Sequence, residues 1–187
     1  MVLAGAMNLA ERYETACRTP SDIHQHLPMF VELVAELDAT RVLELGTRSG
    51  ISTIAWLHAL DGRGSLVSVD LDERPDIGEY PHWTFIRGDD MDPVVIKAVS
   101  TPPPDIVFLD TSHHFQHTRR ELATYGWVVK PGGLIVCHDT EVARPEFAPI
   151  GDPGFPVRRA IEEFCGDNGF TWVNVTGCNG LGIIKVR

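Results

Sequence analysis

The stretch Arg41-Val-Leu-Glu-Leu-Gly-Thr-Arg-Ser-Gly-Ile-Ser52 decides the fold: an apolar run of strand length carries one acid, Glu44, and empties into a turn bracketed by Gly46 and Gly50. Glycine takes backbone conformations closed to other residues and lets a ligand approach the main chain. Beyond the turn, Ile51, Ile54, Ala55, Leu57 and Leu60 recur at helical spacing up to a stop at Asp61-Gly62, so the free N–H groups of a helix start face the same turn. Strand, glycine turn and helix form the first unit of an open parallel sheet, whose ligand crevice lies beyond the carboxyl ends of its strands. The glycines lack the G-x-G-x-x-G spacing of a pyrophosphate cradle, and an acid at Glu44 repels phosphate, so the ligand expected here carries positive charge.

The same alternation continues on both sides. Upstream, Leu27, Phe30, Val31, Val34 and Leu37 predict an amphipathic helix from about His26 to Leu37. Downstream, 65–70, 83–87, 105–110 and 134–137 read as strands, with helices over 93–99 and from Phe115 through Val129, the latter stopped by Lys130-Pro-Gly-Gly133. Segments 170–175 and 181–186, parted by Thr176-Gly-Cys-Asn-Gly180, read as a closing hairpin. The expected fold is α/β: one domain over 1–187, with a Rossmann-like, doubly wound, mostly parallel seven-stranded sheet ending in an antiparallel C-terminal hairpin. The loop from Glu141 to Phe155, rich in proline and glycine, is the candidate substrate lid.

Glu44, Asp70, Asp89, Asp110 and Asp139 all fall at strand carboxyl ends. S-adenosylmethionine meets this pattern, because it carries a sulfonium and an ammonium group and no phosphate. Glu44, Gly46, Thr47, Ser49 and Gly50 are expected at its methionine and ribose side. Asp70 is expected at the ribose hydroxyls and Asp89 at the adenine edge, with Asp110 closing the crevice.

Composition narrows the partners. A formal charge of -10 opposes a broad grip on phosphate backbones, so a small-molecule acceptor is expected and a nucleic acid is not. Cys17, Cys137, Cys165 and Cys178 show no C-x-x-C pairing and suit reduced thiols in a cytoplasmic protein. Met1 to Met7 has no basic flank and reads neither as a leader nor as a membrane span. A homo-oligomer is left open.

Two strand ends concentrate acids and imidazoles: Asp110-Thr-Ser-His-His114 and His138-Asp139. Asp110, His138 and Asp139 form a donor set for a divalent ion such as magnesium, manganese or iron. His113, on the turn past Asp110, is the leading general base, with Asp110 beside it as the second catalytic candidate; an imidazole suits proton transfer near neutrality. His117 is expected to be solvated, and Trp56 and Trp127 to lie in the core or an interface.

Val42-Leu-Glu-Leu-Gly-Thr-Arg-Ser-Gly50, Asp70 and Gly88-Asp89 together resemble the cofactor turn, ribose acid and adenine-side motif of class I S-adenosylmethionine-dependent methyltransferases. Phe108-Leu-Asp-Thr-Ser-His-His114 and Pro131-Gly-Gly-Leu-Ile-Val-Cys-His-Asp-Thr140 resemble the small-molecule O-methyltransferases of the macrocin and mycinamicin type and cephalosporin-hydroxylase-like proteins. The resemblance implies methylation of a hydroxyl on a sugar-bearing or polyhydroxylated acceptor. It also implies a divalent ion at the positions of Asp110, His138 and Asp139, and a base at His113. His138 departs from the acid common at that position, which favours a softer metal or none. The alternatives are a metal-dependent hydroxylase-like oxygenase and a non-catalytic cofactor-binding accessory protein.

Overall fold

A computed structural model describes residues 7–152 and 154–187; the opening residues 1–6, part of the stretch read as neither leader nor span, and Pro153 of the candidate lid lie outside the described residues. The strands are β1 (Arg41–Leu45), β2 (Ser65–Asp70), β3 (Trp83–Arg87), β4 (Ile106–Leu109), β5 (Leu134–His138), β6 (Thr171–Val175) and β7 (Leu181–Lys185). They form one sheet in the order β3-β2-β1-β4-β5-β7-β6. The first five are parallel, and β7 runs antiparallel to both β5 and β6. The expected hairpin is present, with the last strand of the chain inserted between β5 and β6.

The period-two pattern of the strands divides the core into two layers. Leu43, Leu45, Val67, Val107 and Ile135 point to one face, where they meet α4 (Pro93–Val99), α5 (Phe115–Tyr125) and α6 (Pro156–Asn168). Val42, Leu66, Ile106, Phe108 and Val136 point to the other, under α2 (Leu27–Leu37) and α3 (Ile51–Leu60). Phe30 stacks on Trp56 with ring centroids 3.9 Å apart, and Phe108 meets Phe30 edge-on at 5.2 Å. Such pairs add about 1 kcal/mol each beyond the area they bury.

The structure differs from the sequence reading in three places. A helix unanticipated there, α1 (Leu9–Arg18), is closed by a capping box between Asn8 and Glu11 and lies on α3 through a Tyr13–His58 stack at 4.0 Å. Helix α5 stops at Tyr125 instead of running to Val129: the N–H groups of Trp127 and Val128 donate three residues back, to the carbonyls of Thr124 and Tyr125, and the chain tightens into a turn. Trp127 is consequently 79% exposed, whereas Trp56 is fully buried as expected.

Candidate active site

The strand order reverses between β1 and β4, one leading to α3 and the other to α5 on opposite faces, and the crevice opens where these connections part. Gly46 sits at its apex with φ +88°, and a side chain there would overlap the carbonyl oxygen of Asp110. Its N–H donates to the Val69 carbonyl at 2.9 Å, and that of Asp110 donates to the Leu45 carbonyl at 2.9 Å, so the ends of β1, β2 and β4 are drawn together. The crevice encloses about 570 Å³, with Gly46, Thr47, Asp70, Asp89, Asp110 and His113 in its walls.

Asp70 organises the turn it faces. Its Oδ2 accepts from the Thr47 N–H at 2.6 Å, the Thr47 hydroxyl at 2.9 Å and the Arg48 N–H at 3.1 Å, while Oδ1 accepts from the Asp72 N–H at 2.9 Å. Burial pushes this carboxyl up, but the backbone donors outweigh it and hold Asp70 below the usual carboxylate range. Arg48, which pairs with Asp22 at 2.9 Å, also borders the crevice, as do Asp72, Thr111 and Ser112; sequence reasoning missed all four.

Three residues of the expected cofactor turn stand elsewhere. Glu44 is fully buried, and its carboxyl takes the hydroxyls of Ser52 at 2.7 Å, Thr53 at 2.8 Å and Ser68 at 2.6 Å. It therefore ties β1 to β2 and to the first turn of α3, beneath the crevice, in place of facing a ligand cation. Burial raises it to about 7, against the three hydroxyls that favour its charge. Ser49 is exposed on the outside of the turn. Gly50 caps α3 with φ +82°, and a side chain there would meet Ile77 and Pro75, on the loop after β2.

At the other end of the crevice, His113 Nε2 lies 2.7 Å from Asp139 Oδ2 and 3.2 Å from Asp110 Oδ1. His113 and Asp139 both take left-handed backbone conformations, with φ 57° and 62°, which costs a residue with a side chain about 1–2 kcal/mol. Such strain persists where the surroundings over-determine a residue's position. Burial works against the charged form of His113, but Asp110 and Asp139 raise it to about 9; His113 and His138 in turn hold the Asp110 carboxyl far below its usual range despite burial.

His138, expected as a metal ligand, is held through both ring nitrogens. Its Nε2 faces the carbonyls of Asp22 at 3.0 Å and Cys178 at 2.9 Å, and its Nδ1 faces Asp110 Oδ1 at 3.3 Å. The carbonyls hold the hydrogen on Nε2, and Nδ1, which also lies 3.5 Å from Asp139 Oδ1, donates to Asp110 when the ring is charged and offers a lone pair between the two carboxylates when it is neutral. Burial opposes the charged form, and the hydrogen bond and charge of Asp110 overcome it, raising His138 to about 9. The group with metal-ligating geometry is Asp110, His113 and Asp139. Asp139 Oδ1 is buried without a hydrogen bond, and two carboxylates with one imidazole suit a divalent cation, so the residues present fit one.

His117 also departs from expectation. Its side chain is 24% exposed, and its Nε2 lies between Asp90 Oδ1 and Glu121 Oε1, which raise it to about 10. His114 stacks on Phe147 of the 141–155 loop at 3.6 Å, joining that loop to the crevice mouth. Among the described residues no helix is long and apolar enough to cross a membrane. All four cysteines are free thiols.

Known proteins share this fold. The chain is 32% identical over 127 residues to demethylmacrocin O-methyltransferase of Streptomyces fradiae, a match covering 63% of this chain and 32% of that protein. This chain thus spans about a third of the curated relative it matches. Among solved structures, a putative caffeoyl-CoA O-methyltransferase from Staphylococcus aureus superposes with a TM-score of 0.72 at 15% identity, over 97% of this chain and 93% of that one. The MycE methyltransferase of the mycinamycin pathway, solved with Mg, SAH and mycinamycin VI, gives 0.72 at 22% identity, over 98% of this chain and 56% of that one. These likenesses establish a shared fold. The methyltransferase domain family matches residues 43–140, more than half of the chain. That span runs from the middle of β1 to the residue after Asp139 and takes in every parallel strand end around the crevice, and the chain belongs to the methyltransferase domain family.

Proposed function

We propose that this chain transfers the methyl group of S-adenosylmethionine to a hydroxyl of a small, polyhydroxylated acceptor such as a sugar-bearing metabolite. The observation that carries the reading is the crevice itself: it runs from the Gly46 turn and Asp70 at one end to Asp110 and His113 at the other. The ends differ in the way the two substrates require. At the first, Asp70 presents Oδ1, which accepts one hydrogen bond against three at Oδ2, beside a turn whose backbone admits close approach, which suits the ribose hydroxyls, and Asp89 borders the adenine end. Relatives of this fold were solved with S-adenosylmethionine or SAH, as in TomG of Streptomyces achromogenes and MycE, and this supports the same cofactor here.

At the second end the reaction is an in-line displacement. The acceptor oxygen forms a bond to the methyl carbon while the carbon–sulfur bond breaks, its electron pair staying on sulfur, and S-adenosylhomocysteine leaves as a neutral thioether. The hydroxyl proton goes to His113 Nε2, and positioning of the oxygen against the methyl carbon, about 3 Å away, supplies much of the acceleration. Because Asp110 and Asp139 raise His113 to about 9, the ring takes up that proton only after giving up its own, and turnover quickens as pH climbs toward that value. His138, fixed from both sides, holds Asp110 in place. A divalent cation, when bound, would be held by the Asp110 and Asp139 carboxylates, leaving His113 Nε2 for the proton, and would make the acceptor hydroxyl easier to ionise.

Calorimetric titration with S-adenosylmethionine, with and without magnesium, tests the cofactor, and a panel of polyhydroxylated acceptors tests the transfer. Micromolar binding that weakens at least tenfold in Asp70→Ala is expected. His113→Ala should keep that binding and lose methyl transfer. A folded protein that binds no S-adenosylmethionine under either condition refutes the reading.

A further inference from the structure

The turn after β3 and one face of α5 bring a second group of donors together, apart from Asp110, His113 and Asp139. His117 and Glu121 are one helical turn apart on α5 and share a face. Asp90 is brought to them by the Tyr125 hydroxyl, which donates to the Asp90 carbonyl at 2.5 Å. One donor atom from each of the three lies within 4.8 Å of the others. The Glu121 side chain is 1% exposed and that of Asp90 10%.

Hydrogen bonding leaves this group incomplete. Glu121 Oε1 accepts from the Thr111 hydroxyl at 2.8 Å, but Glu121 Oε2 and Asp90 Oδ2 are buried with no hydrogen-bond partner. A buried carboxylate oxygen without a partner forfeits its hydration with nothing in return. His117 Nε2 stands 3.3 Å from Asp90 Oδ1 and 3.6 Å from Glu121 Oε1. Charge-assisted hydrogen bonds are shorter, about 2.7–2.9 Å. Ligands around a tetrahedral zinc ion, each about 2.1 Å from the metal, stand about 3.4 Å apart, close to both observed separations.

We propose that Asp90, His117 and Glu121 form a second divalent-cation site, with a preference for zinc-class ions over magnesium set by the imidazole donor. Three protein ligands leave a fourth position. Asp90, Thr111 and His117 all border the crevice, so that position opens toward it. A bound cation would fasten the turn after β3 to α5 and supply the positive charge that the unpartnered oxygens lack. This site stands on its own geometry and is independent of the proposed methyl transfer.

The test uses the full chain, stripped with a chelator and titrated with zinc chloride by calorimetry. The Asp139→Asn variant first disables the other carboxylate–imidazole group; Asp110→Asn replaces it if that protein fails to fold. One equivalent of zinc is expected to remain, with affinity falling at least 30-fold on adding either His117→Ala or Glu121→Gln. Zinc should also raise the melting temperature of Asp139→Asn and leave that of Asp139→Asn/His117→Ala unchanged. Folding of each variant is checked by circular dichroism. Absence of zinc binding in folded Asp139→Asn, or binding equally tight after His117→Ala, would overturn the site and leave Asp90 and Glu121 sharing a proton only.

Discussion

Two clusters in this molecule use the same chemistry, two carboxylates around one imidazole, and differ in spacing. In Asp110–His113–Asp139 the ring reaches Asp139 at 2.7 Å, a charge-assisted hydrogen bond. In Asp90–His117–Glu121 the corresponding distances are 3.3 and 3.6 Å, and two carboxylate oxygens have no partner. Identical donors thus serve different ends. The first group is drawn in by one short hydrogen bond, leaves a single oxygen, Asp139 Oδ1, without a partner, and sits on backbone strained at His113 and Asp139, while the second has no such bond and stands at the separation of ligands around a cation. The supports differ as well. His113 and Asp139 belong to turns past strand ends, whereas His117 and Glu121 belong to a regular helix that fixes their spacing.

That difference has consequences that can be broken one at a time. The largest effect is expected from Asp139→Asn, which removes the charge behind the short hydrogen bond to His113: methyl transfer should fall about 1,000-fold, while Glu121→Gln should cost less than about tenfold under the same assay. Equal losses from the two substitutions would erase the functional distinction between the clusters. Gly46→Ala comes next. Its side chain would press on the Asp110 carbonyl from a left-handed backbone, and thermal or urea unfolding should show a loss of about 3 kcal/mol. Zinc uptake by Asp90, His117 and Glu121 should survive that change, because none of them touches the Gly46 turn.

The smallest effect concerns Glu44, a buried acid answered by hydroxyls alone, with no histidine beside it. Burial raises its folded pKa from an ordinary 4.5 to about 7. A raised folded pKa means that its contribution to stability is fully present below about pH 4.5 and is lost as pH rises through 7. Between pH 5 and 7 the wild type should therefore lose about 2 kcal/mol relative to Glu44→Gln. Denaturant titrations of both proteins at the two pH values check this, and parallel pH dependences would show that the Glu44 carboxyl is not raised. Asp110, with His113 and His138 beside it, is held low despite burial, so the contrast separates these two buried carboxyls by their partners.

The sequence by itself determined the parallel α/β frame, because period-two strands buried on both faces, each ending in an acid and alternating with helical stripes, admit few other arrangements. It also placed Gly46, Asp70, Asp89 and Asp110 at strand carboxyl ends, where a crevice must open, since that much follows from local backbone direction. Helix α1 went unread, although the Asn8 and Glu11 spacing and the Leu9, Tyr13, Ala16 stripe carry a local signal for it. What only the tertiary structure decided is which side chains meet. Glu44 reads as a ligand acid until Ser52, Thr53 and Ser68 converge on it from two other elements. His138 reads as a metal ligand, and only the packing shows its Nε2 held by the carbonyls of Asp22 and Cys178 while its Nδ1 turns to Asp110. The union of Asp90 with His117 and Glu121 spans β3 and α5 and has no local signature. Periodicity reports which way a residue points along its own element, whereas hydrogen-bond satisfaction depends on neighbours far away in the chain, and those are fixed only when the elements pack.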